Sequence, residues 1–271
     1  MRLFISADIE GVAGVADTCQ TTPGAHGYDR AAAWMTGEVR AACEGAFRGG
    51  ASHILVADSH GSAVNIDPDG LPDGVELISS WPRPLSMMQG VETGFDAVFL
   101  LGYHAGAHLK DGVLAHTFRG MQISQVRLNG EPADEMRVNA AAAGAYGAPV
   151  LLVTGDDVIC AEARRLLGED VSTVAVKTAL GRLSARSLSP AKARAAISEA
   201  AEAAMSRTRT PYRIEGPIEV EIDFKHHWTA ELLSYLPMFE RLSAYTVRFT
   251  AADAPAAIAV FKFITTYRPL P

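Results

Sequence analysis

Cysteine is scarce and scattered in this chain: Cys19, Cys43 and Cys160 are the three, and no two of them form a CxxC pair. That spacing argues against a disulfide framework and against a thiolate zinc site, and a reducing compartment is the expected home. A basic excess is missing as well. The 24 Lys and Arg are outnumbered by 31 Asp and Glu, for a formal net charge of −7. The acids are spread along the chain rather than gathered in a tail, which argues against nucleic acid as a partner. No apolar run approaches the length of a membrane span, and Leu3-Phe4-Ile5 is too short for a secretion signal. A soluble, cytoplasmic protein with no membrane partner is expected. There is no Gly-rich phosphate cradle followed by GK[ST], no internal repeat, and no low-complexity segment beyond an alanine bias.

What is present is a large apolar fraction, 48% of 271 residues against 20% charged, enough for a substantial core. The opening run Leu3-Phe4-Ile5 reads as a buried strand. A helical spacing follows from Tyr28 to Arg48, stopped at Gly49-Gly50, and then a second strand, His53 to Ala57. Strand, helix, strand predicts a parallel crossover. Further strands are expected at Val75–Ile78, Ala97–Leu101, Val150–Val153 and Thr173–Val176. A hairpin is expected to turn at Asn129-Gly130, and helices to run from about Asp134 to Tyr146, from Asp156-Asp157 to Leu167, and from Ser189-Pro190 to Ser206. Composition shifts at Thr210-Pro211. Beyond it, Ile218 to Phe224 alternates as a half-solvated antiparallel strand does, with a short helix near Thr229, a strand at Thr246–Thr250 and a last helix from Ala254 to follow. The expected fold class is α/β: a mainly parallel central sheet flanked by helices over residues 1–210, then a smaller α+β unit over 211–271.

Three of the apolar strands share one habit. Each carries polar residues at or just past its C-terminal end: Asp8 and Glu10, then Asp58 and His60, then His104. In a parallel sheet those ends lie on one edge, where ligands bind. Asp8 and Glu10 are two apart, so strand geometry would point both to one face, where two acids repel unless a cation lies between them. Carboxylates and imidazoles without a thiolate fit Zn2+ or a similar divalent ion in a hydrolytic site. His116 lies in a loop among small residues, as a base, a transition-state donor or a surface histidine. Glu135 opens a helix, where a carboxylate favours the dipole without any further role. His108 lies near the proposed mouth and could face substrate, whereas His226 and His227 belong to the second unit as surface or interface residues.

The ordered set of Ser6-Ala7-Asp8-Ile9-Glu10-Gly11, Asp58-Ser59-His60, Leu101-Gly102-Tyr103-His104-Ala105, Ala115-His116-Thr117 and Glu135-Met136-Arg137-Val138-Asn139-Ala140 resembles the D-aminopeptidase family, the M55 metallopeptidases. Ala148 to Asp157 and Ala175-Val176-Lys177 are similar to it as well. The resemblance covers residues 2 to about 200, and more weakly the rest. It implies a dizinc aminopeptidase, with two Zn2+ ions per subunit, that hydrolyses short peptides from the N-terminus by metal-activated water and prefers D-amino acids. By resemblance, Asp8 bridges the two ions, Glu10 and His60 complete one site, His104 and Glu135 complete the other, and His116 is the catalytic histidine. A homodecamer of two pentameric rings enclosing the active sites is implied too. Asp134 departs from the family's smaller neutral residue at that place, which bears on substrate preference. Asp58 is expected to orient an imidazole from behind, and Asn139 and Lys177 to contact substrate. Two other readings stand beside this one: a dimetal phosphoesterase, and a metal-stabilised shell or binding protein without turnover.

Overall fold

A strand with apolar side chains on both faces must be covered on both, and β1 is. Leu3 and Ile5 pack into the core on one side of it and Phe4 into the core on the other, each wholly out of water. Each such burial stabilises the fold by about 1.5–3 kcal/mol. The structure, a computed structural model, describes residues 1–267, so the last four positions of the expected C-terminal unit lie outside the described residues. In chain order the elements are β1 (Arg2–Ala7), α1 (Tyr28–Arg48), β2 (His53–Asp58), β3 (Val75–Ile78), β4 (Ala97–Tyr103), β5 (Ile123–Leu128), β6 (Glu131–Pro132), α2 (Glu135–Ala145), β7 (Val150–Asp156), α3 (Asp157–Leu167), β8 (Ser172–Gly181), β9 (Ser184–Ser187), α4 (Pro190–Ala204), β10 (Ile218–Phe224), α5 (His227–Leu233), β11 (Glu240–Arg241), β12 (Thr246–Ala251) and α6 (Ala254–Thr266).

Seven strands form the central sheet in the order β3-β2-β1-β4-β7-β8-β9, parallel except for the β8–β9 pair. From β1 the chain winds outward to β2 and β3, then crosses back to add β4 on the other flank of β1. The winding therefore reverses between β1 and β4, and a crevice opens at the C-terminal ends of the strands there. Helices α1 and α4 cover one face. The other face carries α2, α3 and a second, antiparallel sheet in the order β11-β12-β10-β5-β6. That second sheet is not confined to residues 211–267, because β5 and β6 come from residues 123–132 and pair with β10. In β10, Ile218, Val220, Ile222 and Phe224 are buried. Their polar neighbours reach across the strands, Glu219 to Arg248 (3.1 Å) and Asp223 to Arg127 (3.0 Å).

Most elements match the sequence pattern, and the differences have local causes. β4 and β7 run two or three residues past their apolar runs, to Tyr103 and Asp156. β9, Ser-Ala-Arg-Ser, has no apolar alternation to announce it; it exists because β8 offers an edge for it to pair with. At the β5–β6 turn, Asn129 and Gly130 both adopt positive φ (51° and 80°), as a tight hairpin demands.

Two glycines bring the ends of β1 and β4 together. The amides of Asp8 and Gly11 donate to the carbonyls of Leu101 (2.8 Å) and Gly102 (2.7 Å). A Cβ on Gly11 would fall 2.0 Å from the Tyr103 carbonyl oxygen, and one on Gly102 2.1 Å from that of Asp8. Gly102 also holds φ at +65°, a left-handed conformation costly to other residues. Gly102→Ala is expected to destabilise the protein by at least about 2 kcal/mol, checked by urea denaturation. A neutral result would show that the two loops can move apart freely.

Candidate metal centre

Asp8 and Glu10 lie just beyond the end of β1, which stops at Ala7, so the turn and not strand alternation aims their carboxylates. Inside that turn the ammonium of Lys177, from β8, donates to the carbonyls of Glu10, Val12 (3.1 Å) and Val15 (2.6 Å). The amide of Ile9 donates to Asp8 Oδ1 at 2.8 Å. His60 follows β2, His104 follows β4 directly, and Glu135 opens α2 with Asp134 as its N-cap, whose side chain accepts from the Arg137 amide. Sequence places these residues far apart; the fold brings them together.

Asp8 stands in the middle. Its Oδ1 lies 3.3 Å from His60 Nδ1, and its Oδ2 lies 3.6 Å from His104 Nε2. On the first side Glu10 Oε2 is 2.9 Å from His60 Nδ1; on the second, Glu135 Oε1 is 3.3 Å from His104 Nε2. His116 Nε2 lies 3.8 Å from the same Glu135 oxygen, and its ring stacks on His104 with centroids 4.1 Å apart. Each imidazole has one nitrogen tied to a backbone carbonyl: His60 Nε2 to Thr21 (2.7 Å), His104 Nδ1 to Ala105 (3.0 Å), His116 Nδ1 to Leu114 (2.8 Å). The carbonyl fixes the tautomer and leaves the other nitrogen facing the acids, the arrangement that orients metal-binding histidines.

The donor set fits a cation on two counts. Glu10 Oε2 and His104 Nε2 are buried without a well-directed hydrogen bond. Donor atoms of Asp8, Glu10 and His104 all lie within 4.8 Å of one another, as do those of His104, His116 and Glu135. Three buried acids this close repel unless positive charge lies among them. Taken by themselves, the side chains balance with protons. Burial, and then the Glu10 charge, push Asp8 up to about 7. Burial opposes charge on His104, yet Glu135, Asp8 and Glu10 together outweigh it and lift the imidazole to about 10. His60 is likewise driven well above its ordinary value, burial being overcome by Glu10 and Asp8 together. His116 goes the other way: burial, with His104 next to it, keeps its imidazole neutral.

The remaining expected residues have other places. Asp58 touches no imidazole among the described residues. It takes the amides of Asn65 (2.6 Å) and Ile66 (2.8 Å) and the Asn65 side chain (2.7 Å), which in turn donates to the His60 carbonyl. Its role is to shape the loop that carries His60. Asn139 is fully buried and donates to Tyr103 Oη (2.8 Å), which also bonds Ser6 Oγ (2.8 Å), so Asn139 and Lys177 brace the site from behind and do not line its mouth. His108 sits with Asp134 and Glu162, but both Glu162 oxygens are held by Arg165, so that group is a closed ion pair. A cavity of about 500 Å3 opens beside Glu135, lined also by Ser59, Trp81, Phe118, Arg119 and Lys262. Sequence reading did not find this wall, because its cations come from separate loops and from α6.

The D-aminopeptidase family model, peptidase M55, matches residues 1–263. The chain is 33% identical over 268 residues to the D-aminopeptidase of Bacillus subtilis strain 168, covering 98% of this chain and 97% of that one. Among solved structures it is similar to the Zn-dependent D-aminopeptidase DppA from Bacillus subtilis, described as a self-compartmentalizing protease. The TM-score there is 0.93 at 32% identity, over 98% and 97% of the two chains. An α/β crevice carrying a carboxylate–imidazole cluster thus defines a metallo-aminopeptidase, a hydrolase. The chain belongs to the D-aminopeptidase family, peptidase M55.

Ligating histidines must be neutral and ligating acids ionised, so a cation has to displace the protons the cluster holds. Zinc added to metal-stripped protein near pH 7 is expected to release protons, read by an indicator dye in weak buffer. Its affinity should fall as the pH is lowered, first as the His104 imidazole takes up its proton near 10 and again below the Asp8 value of about 7. Affinity independent of pH would place the ion elsewhere.

Proposed function

We propose that this protein is a dizinc aminopeptidase that cleaves short peptides from the N-terminus, with a preference for D-residues. The observation that carries the reading is Asp8, whose two carboxylate oxygens face different imidazoles, His60 and His104. Asp8 would hold both ions, with Glu10 and His60 on one and His104 and Glu135 on the other. Zinc, when bound, polarises the scissile carbonyl and acidifies a water. The D-preference is drawn from the activity named for the Bacillus subtilis relatives.

The chain's own residues do the rest. Cleavage of the first peptide bond requires the amino end of the peptide to lie at the metal centre, with the rest of the chain leading away from it. His116, neutral and tied at Nδ1 to Leu114, turns Nε2 toward Glu135 and can take a proton there. Hydrolysis breaks the C–N bond, joins the water oxygen to the acyl carbon, and needs one proton at the departing nitrogen. His116 takes that proton from the water and delivers it to the amine.

Asp8→Ala is expected to abolish zinc binding and peptide cleavage together, by elemental analysis and an alanyl-dipeptide assay. A variant that keeps both removes Asp8 from the bridge. His116→Ala should keep near-normal zinc while kcat falls about 10²- to 10³-fold. A protein that binds zinc and melts higher with it, yet cleaves no peptide, would instead be a metal-stabilised shell.

We further propose that the protein works in the cytoplasm as a decamer of two pentameric rings. Support comes from the self-compartmentalizing relative, and from Trp228, Leu232, Tyr235, Leu236, Met238 and Phe263, apolar side chains exposed on one chain. Cys43 and Cys160 are buried free thiols, Cys19 is free as well, and no helix among the described residues is long and apolar enough to cross a membrane. Light scattering is expected to give ten times the 28.8 kDa chain mass. A monomer would sink the ring.

A further inference from the structure

The cavity beside Glu135 is polarised. Its lining takes in Glu135 of the acid cluster, and also Lys262 from α6 and Arg119 from the loop after His116. Lys262 Nζ sits 3.3 Å from the centroid of the Trp81 ring, and Arg83 Cζ lies 3.7 Å from the same centroid. Arg119 donates to the Thr265 carbonyl at 3.0 Å, which ties its loop to α6. Lys262 forms no ion pair with a carboxylate among the described residues; the charge that acts on it is the cation Arg83, at the same Trp81 ring. Half-burial and then Arg83 draw the ammonium down to about 8, so an arriving anion would relieve the strain on it. In a chain of net charge −7, gathered cations facing a cavity call for a negative ligand.

On the aminopeptidase reading, a peptide in this cavity has its amino end at the metal centre, beside Glu135. In a short peptide the opposite end is a free carboxylate. We propose that Lys262 binds the C-terminal carboxylate of the substrate, with Arg119 adding positive potential to that wall, so that the enzyme selects short peptides with a free C-terminus. About 500 Å3 is within the range of sites that hold small ligands. With the amino end held at the metal centre, Lys262 is a wall cation placed for the free carboxylate, and a long or amidated chain would leave Lys262 without that partner. Trp81, under the ammonium, holds the Lys262 side chain in place by a cation–π contact. Lys262 is thereby a specificity residue.

The test compares an alanyl dipeptide, of the chirality cleaved faster, with its C-terminal amide. Zinc-loaded wild-type enzyme is expected to favour the free acid by about 10- to 100-fold in kcat/KM, mainly through KM, the worth of a charge-assisted contact. Lys262→Gln should lose most of that preference, raising KM for the acid far more than for the amide, and Lys262→Arg should keep it. Equal use of acid and amide by the wild type, or an undiminished preference in Lys262→Gln, overturns the assignment. If the wild type cleaves neither peptide, the aminopeptidase reading fails by itself. Calorimetric titration of the two dipeptides into wild type and Lys262→Gln then still decides the question. Tighter binding of the acid, lost in the variant, supports the Lys262 site, and equal affinities refute it.

Discussion

Mutual repulsion among three buried carboxylates is the constraint around which this molecule is arranged. Asp8, Glu10 and Glu135 are each no more than 6% exposed. Placing one ionised group out of water costs several kcal/mol, more than a fully buried leucine or phenylalanine returns. The cluster therefore stands only because positive charge is built in among the acids, as imidazolium or as metal. Everything near it serves that placement. Backbone carbonyls turn three imidazoles inward, glycines let the β1 and β4 loops touch, and the Ser6–Tyr103–Asn139 chain of hydrogen bonds links β1, β4 and α2 beneath.

The fold was largely legible because its strands are short apolar runs closed by polar or glycine residues, and its helices have clear starts. Asp156 and Ser189 do cap α3 and α4, and α1 spans Tyr28–Arg48. Strand-end placement also singled out Asp8, Glu10, His60 and His104 from local pattern alone. Glu135 and His116 were different. A helix-opening glutamate and a loop histidine look ordinary until α2 and the loop after β4 are seen to meet, and only family resemblance picked them out. Asn139 and Lys177, expected at the substrate, instead hold Tyr103 and the backbone of the Glu10 loop, and Asp58, expected on an imidazole, holds the loop of His60 through Asn65; no sequence spacing distinguishes such braces from direct contacts.

The cations of the cavity wall show the same limit from another side. Arg119 and Lys262, with the Trp81 ring that Lys262 sits on, are spread over some 180 positions, and no segment of the sequence reads as basic. The second sheet is what unites them. It takes β5 and β6 from the first half of the chain and sets α6 against α2, so that a late helix overhangs a crevice made by early strands. Local electrostatics at the mouth thus oppose the sign of the whole protein, which favours a ligand carrying both charges over one that is simply cationic.

Lys177 has a consequence for how the protein is made. Its ammonium holds three carbonyls of the loop that bears Glu10, a separation of 167 in sequence for the Glu10 contact. The ribosome delivers Asp8 and Glu10 among the first residues and Lys177 far later, at 5–20 residues per second by the usual rate of about that order. Until β8 emerges and docks, the turn that bears Asp8 and Glu10 lacks the ammonium that gathers its carbonyls. That turn can thus reach its final geometry only after roughly two thirds of synthesis is complete.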